Sequence, residues 1–141
     1  MSGAGSGGGG GGSGPNPVQL EAENGSLANC GGCVIQGGGD SGNKIWEFTD
    51  NDQICWSNVD MNGITMATVH YGNGEATGDT IDITYGGNTI GQVAVGFTNG
   101  WSTPMMGDLS DTFAAQTGTG TVCLVGHGVT QVASIDYLKL D

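Results

Sequence analysis

From residue 18 onward the apolar residues fall in short runs, and no run sustains the 3.6-residue period of an amphipathic helix. Val18, Leu20 and Ala22 alternate with Gln19, Glu21 and Glu23, the period-2 pattern of a half-buried strand. Strand-like runs also occupy 33–36, 44–48, 53–59, 64–71, 79–85, 89–97, 109–115, 121–126 and 131–140. Turn-forming clusters separate them: Gly37-Gly38-Gly39-Asp40, Asp50-Asn51-Asp52, Asn62-Gly63, Gly72-Asn73-Gly74, Gly86-Gly87-Asn88, Asn99-Gly100 and Gly118-Thr119-Gly120. Tyr85-Gly86-Gly87-Asn88-Thr89, lying between two runs, predicts a hairpin. About eight to ten short strands with this punctuation predict an all-β domain, a jelly-roll β-sandwich of two antiparallel sheets.

The pattern stops short of the N-terminus. Residues 1–14 are Gly and Ser apart from Met1 and Ala4, and Pro15-Asn16-Pro17 follows. A segment of this composition has nothing to bury. We read 1–16 as a Gly/Ser-rich flexible linker, or alternatively a remnant of expression cloning, and 17–141 as the folded module. That module is long enough for one domain with a real core.

The chain carries 2 Lys plus Arg against 14 Asp plus Glu, a net charge of −12. Nucleic-acid binding is built on Lys and Arg contacts to phosphate, so it is excluded as a class. Anionic membranes are excluded on the same ground. A neutral partner fits this charge best, and the expected state is a soluble, secreted monomer.

Glu21 and Glu23 would place two carboxylates on one strand face. A hard cation held by oxygen ligands would relieve their repulsion, with a carboxylate from the C-terminal strand completing the set. The alternative is an ordinary solvated strand face. The four cysteines, Cys30, Cys33, Cys55 and Cys123, come without metal-type histidine partners and point to disulfides in an oxidising compartment. Of three possible pairings we favour Cys30–Cys33 with Cys55–Cys123.

Five carboxylates, Glu47, Asp50, Asp52, Glu75 and Asp79, are candidates for a hydrolytic pair. None has the apolar setting that a catalytic acid needs, and His70 and His127 have no evident nucleophile to activate. Asp50-Asn51-Asp52 lacks the glycine and late glutamate of an EF-hand loop and reads as a turn. With no catalytic constellation, the chain is expected not to be an enzyme.

Three segments together resemble a known pattern: Leu20-Glu21-Ala22-Glu23 at the start, Phe97-Thr98-Asn99-Gly100-Trp101-Ser102-Thr103 in a late loop, and Ser134-Ile135-Asp136-Tyr137-Leu138 at the end. In this order and spacing the chain resembles the carbohydrate-binding modules of family 6, and the related family 35. The resemblance implies a non-catalytic module on a jelly-roll sandwich, tethered by a linker to a glycoside hydrolase and directing it to a neutral plant- or algal-type polysaccharide such as β-glucan or xylan. It implies a structural Ca2+ on Glu21 and Glu23 with Asp136 or, alternatively, Asp141, completed by backbone carbonyls near Asn43 or Lys44. It also implies a cleft in which a sugar lies between a Trp and a second aromatic. Trp101 takes the Trp position, and Trp46 best fits the second, with Glu47 beside it as a hydroxyl acceptor. Ser134 stands where the family often has a sugar-binding Asn, so either a water bridges there or Asn99 takes over. Trp56 reads as core, or alternatively as part of a concave-face site. The rival function is a structural or adhesive β-sandwich domain of a secreted or surface protein.

Overall fold

The computed structural model describes residues 17–75, 78–129 and 131–141; the linker expected over 1–16 lies outside the described residues. The strands are β1 (Val18–Glu21), β2 (Ser26–Ala28), β3 (Val34–Gly39), β4 (Gly42–Phe48), β5 (Gln53–Asp60), β6 (Met66–Gly72), β7 (Thr80–Tyr85), β8 (Asn88–Ala94), β9 (Gly107–Thr112), β10 (Thr119–His127) and β11 (Ala133–Leu140). Among the described residues a single 3-10 turn, Ala22–Asn24, follows β1. Among the described residues no helix is long and apolar enough to cross a membrane.

The strands form the expected two antiparallel sheets. One runs β9-β6-β11-β4-β3, with β1 also on β11; the other runs β2-β5-β10-β7-β8. On one edge of β11, β4 pairs its first half and β1 its second. The inner faces meet in one core, with Ile45, Phe48, Val69, Ile135 and Leu138 from the first sheet and Ile54, Trp56, Ile83, Val122 and Leu124 from the second, all buried. Alternation puts one side of each strand into this core and leaves the other side outward. Trp56 is core, with its indole N–H donating to the Glu21 carbonyl at 2.9 Å.

Two bulges on β11 interrupt the alternation and shape the rest of the molecule. Against β6, the register steps from Ile135↔Tyr71 to Tyr137↔His70, so Asp136 is the extra residue. Against β4, Trp46 and Glu47 together oppose Ser134, and Glu47 takes φ 58°. A bulge restores the core parity of the residues beyond it and re-aims those within it. Phe48 thereby returns to the core while Trp46 faces outward.

The disulfides are Cys30–Cys33 and Cys55–Cys123. The second staples β5 to β10 at directly opposed positions. Two details differ from the sequence reading. β1 ends at Glu21, so Glu23 reaches its place from the 3-10 turn and not by strand alternation. β2 was not foreseen, because it is three exposed residues, too short to show a period.

Candidate functional site

The loop between β8 and β9 folds back over the outer face of the first sheet. Its anchors are backbone bonds from Thr98 to Asn73 (2.9 Å) and from Thr103 to Gly38 (2.8 Å). This brings Trp101 from the loop against Trp46 from β4, with ring centroids 5.4 Å apart and planes at 86°. Both indoles are half-buried. Two walls clasping a sugar ring would stand about 7–8 Å apart, two carbon contacts of ~3.5–4.0 Å each. Here the rings touch edge to face, so they form a corner and not the facing pair the resemblance implied. Phe97 and Met105, on the same loop, are 54% and 47% exposed.

A glycine makes the packing possible. A Cβ on Gly74 would collide with the Trp101 indole nitrogen, so any side chain there displaces the ring. The Trp101 carbonyl accepts from the Lys44 ammonium at 2.8 Å and from the Ser134 hydroxyl, in a short contact. Lys44 also donates to Ser102 Oγ at 2.6 Å and lies 4.5 Å from the Trp46 ring centroid. Burial pushes the Lys44 pKa down.

The other proposed sugar contacts divide. Glu47 and Asn99 are exposed beside the two tryptophans, both in the left-handed backbone region, at φ 58° and 70°. Such a backbone in a non-glycine residue is uncommon and concentrates at functional positions. Ser134, by contrast, is fully buried beneath the loop, where its hydroxyl holds the Trp101 backbone. Lys44 and Gly74 were missed as site residues. The signal for Lys44 was a charge inside the run Lys44-Ile45-Trp46 in a chain with 2 basic residues; Gly74 carried no signal beyond its turn.

The carboxylates assemble on a neighbouring part of the sheet. Glu23 Oε2 accepts from the Asn43 N–H at 3.3 Å, and Asp136 Oδ2 accepts from the Ser41 N–H at 3.0 Å. Asp136 is fully buried. Among the described residues, four buried side-chain polar atoms have no hydrogen-bond partner: Glu21 Oε1, Glu23 Oε1, Asp136 Oδ1 and Gln131 Nε2. Three of the four are oxygens of acids singled out for calcium. Unsatisfied buried carboxylate oxygens in one neighbourhood fit a hard cation. Burial raises the Asp136 pKa, and the Glu21 charge adds to this against the opposing Ser41 and Asp40 amides and His70. Gly39 makes room, since a Cβ there would lie 2.5 Å from Asp136 Oδ1.

Asp141 does not join this group. It lies past the Val18 end of β1, with its backbone paired to Thr65 and Met66, whereas Glu21 opposes Tyr137. Four strand residues separate the two levels, about 13 Å at ~3.3 Å per residue. The acids are not tightly convergent either. Among the described residues the one trio of His, Cys, Asp or Glu with ligand atoms all within 4.8 Å is Cys30, Cys33 and Asp52, and those sulfurs are bonded to each other.

His70 borders the acidic group. Its Nδ1 lies 2.6 Å from Asp108 and its Nε2 2.7 Å from Asp40. An ionised carboxylate accepts and does not donate, so this pair of contacts favours the doubly protonated ring. Burial draws its pKa down, but the bonds to Asp108 and Asp40 and the charges of Asp108 and Asp136 outweigh it, and the net direction is up.

Two of the candidate hydrolytic acids, Asp52 and Asp50, have structural duties. Asp52 Oδ2 caps its turn through the Thr49 N–H (2.8 Å) and hydroxyl (2.9 Å), and Asp50 Oδ1 accepts from the Gly128 N–H at 3.0 Å.

No family model matches the chain, and no curated protein matches it. Solved structures do. A family 6 carbohydrate-binding module from Clostridium cellulolyticum, in complex with xylose, superposes with TM-score 0.76 at 22% identity, covering 88% of this chain and 96% of that one. A β-1,3-glucan-binding family 6 module from Bacillus halodurans gives TM-score 0.73 at 22% identity, over 86% and 92%. An exo-β-1,3-galactanase from Phanerochaete chrysosporium, with galactose, gives TM-score 0.74 at 16% identity over 90% of this chain but 30% of its own. The two-sheet sandwich that carries the tryptophan corner and the acidic group is thus the fold of the family 6 carbohydrate-binding modules.

Proposed function

We propose that the chain is a non-catalytic carbohydrate-binding module. The observation that carries this reading is the half-exposed Trp46–Trp101 corner on an outer sheet face, in a fold shared with modules that bind xylose and β-1,3-glucan. An indole face offers flat apolar area to the C–H face of a pyranose, and polar groups at its edge read the hydroxyls. Trp101 and Trp46 are the platforms, and Glu47 and Asn99 are the polar readers. Ser134 acts from below by holding the loop. The ligand class is a neutral polysaccharide of the β-glucan or xylan type, since a net charge of −12 disfavours polyanions.

Glu21, Glu23 and Asp136 would hold a structural Ca2+, whose contribution would be to neutralise buried carboxylates and pin the chain ends together. Tethering to a glycoside hydrolase in a secreted protein is part of the same proposal. It is supported by the Gly/Ser composition of residues 1–16 and by a similar fold within a larger galactanase chain. Such a tether raises the effective concentration of enzyme at its substrate. Calorimetric titration with xylo- and gluco-oligosaccharides tests the site. Trp101→Ala should weaken binding by about 30-fold or more, the scale of a hot-spot aromatic, with an unchanged melting temperature. Full binding by the folded variant would contradict this site.

A further inference from the structure

Lys44 is among the largest fully buried side chains, at 1% exposure. The ion pairs among the described residues all involve histidines, so no carboxylate compensates it. Taking an ammonium out of water without a counter-charge is unfavourable, and an apolar side chain would fill the same space more easily. The chain has 2 Lys plus Arg in all, and one of them is placed here.

What surrounds the ammonium accounts for it. An ammonium has three N–H donors and no acceptor. Lys44 finds the Trp101 carbonyl at 2.8 Å, Ser102 Oγ at 2.6 Å and the Trp46 ring at 4.5 Å. Each acceptor belongs to the tryptophan corner or to the residue next to it. A cation near an indole face is attracted to the ring quadrupole, and more strongly when desolvated. Through one group, therefore, the β4 platform and the loop platform are joined. The ring near Lys44 is also held against turning, because the Trp101 ring packs against it at 86°.

We propose that Lys44 is a positioning residue that fixes Trp46 and Trp101 in their edge-to-face geometry before any sugar arrives. It touches no sugar; it lowers the ordering that binding would otherwise demand of a loop and two large side chains. The inference rests on the carbohydrate reading for its functional meaning, but its geometric content is read without ligand.

Two nearby indoles at a steep angle couple their electronic transitions and give a paired band in the far-ultraviolet circular dichroism. Lys44→Met keeps length and apolar bulk and removes the ammonium. The expected result is loss of the paired band, a melting temperature equal to or above that of the parent, and a loss of glycan affinity of about tenfold or more, the scale of a hydrogen bond to a charged group. Trp101→Ala and Trp46→Phe calibrate the band as belonging to this pair. A paired band and an affinity both unchanged in folded Lys44→Met would overturn the inference. Should that variant fail to fold, Ser102→Ala removes one acceptor at a half-buried position; a weakened band is then expected, and an unchanged one would overturn it. If the parent bound no glycan, band loss in Lys44→Met would still support the latch, while the carbohydrate reading would fall.

Discussion

Neutralising Asp136 should have opposite effects with and without calcium. The metal-free protein holds three partnerless buried carboxylate oxygens, on Glu21, Glu23 and Asp136. Each buried unsatisfied polar group costs about 1–3 kcal/mol, so a cation satisfying all three would relieve several kcal/mol. Calcium at about 100 times its dissociation constant would stabilise by ~2.7 kcal/mol, which for a domain of this size is about 10 °C in melting temperature. Asp136→Asn keeps the shape and keeps an oxygen to accept the Ser41 N–H, and it removes the charge that burial disfavours. In chelator the variant should therefore melt no lower than the parent, even though it loses attraction to His70 at 3.8 Å. In millimolar calcium the parent should rise by about 10 °C and the variant by much less. Thermal unfolding followed by circular dichroism, in EDTA and in a calcium series, gives all four values. A parent whose melting temperature ignores calcium, or an Asp136→Asn protein that gains as much as the parent, would refute the reasoning.

Other consequences follow from the same geometry. Gly74→Ala places a methyl group where the Trp101 indole lies, so calorimetry should show weakened glycan binding in a folded domain; unaffected binding would mean that the ring need not sit there. In chelator, the raised pKa values of Asp136 and His70 fix the sign of the pH dependence. A group whose folded pKa exceeds its unfolded one gives stability that is full below the unfolded value and lost as pH rises through the folded value. The unfolded values are 3.8 and 6.5, so the metal-free melting temperature should fall as pH is raised from mildly acidic to 8, and a rise would contradict the assignments. Replacing Cys55 and Cys123 by Ala opens a closure with a sequence separation of 68. This should cost about 4 kcal/mol by loop entropy, read in urea denaturation. Replacing Cys30 and Cys33, separated by 3, should cost clearly less.

Much of this architecture is legible in the chain. Alternation in runs such as Val18–Glu21 reflects a sheet with one face in the core, and Gly-Asn-Asp clusters reflect turns, so the two-sheet sandwich is written in the sequence pattern itself. What could not be read is set by bulges. An extra residue at Asp136 buries a carboxylate next to Ile135, and Glu47 in the left-handed region turns Trp46 outward while Phe48 returns inward. Neither composition nor period marks a bulge, because both depend on which strand lies opposite. The same limit explains Ser134, which looked like a sugar ligand from its position in the motif and is covered by a loop more than thirty residues away in sequence. It explains Lys44 too: a lysine in a strand reads as solvated until the loop that buries it is in place. Asp141, just past the far end of β11, is separated from Glu21 by strand register.

The measurement that bears most directly on the central claim is affinity electrophoresis against a panel of soluble neutral glycans, among them xylan, cellulose derivatives, laminarin and agarose. It should be run with calcium and with chelator, alongside Trp101→Ala. The expected result is retardation of the parent by at least one neutral β-glycan, lost in Trp101→Ala and diminished in chelator. A parent that migrates freely through every glycan would contradict carbohydrate binding at the tryptophan corner and favour a structural or adhesive role for the sandwich.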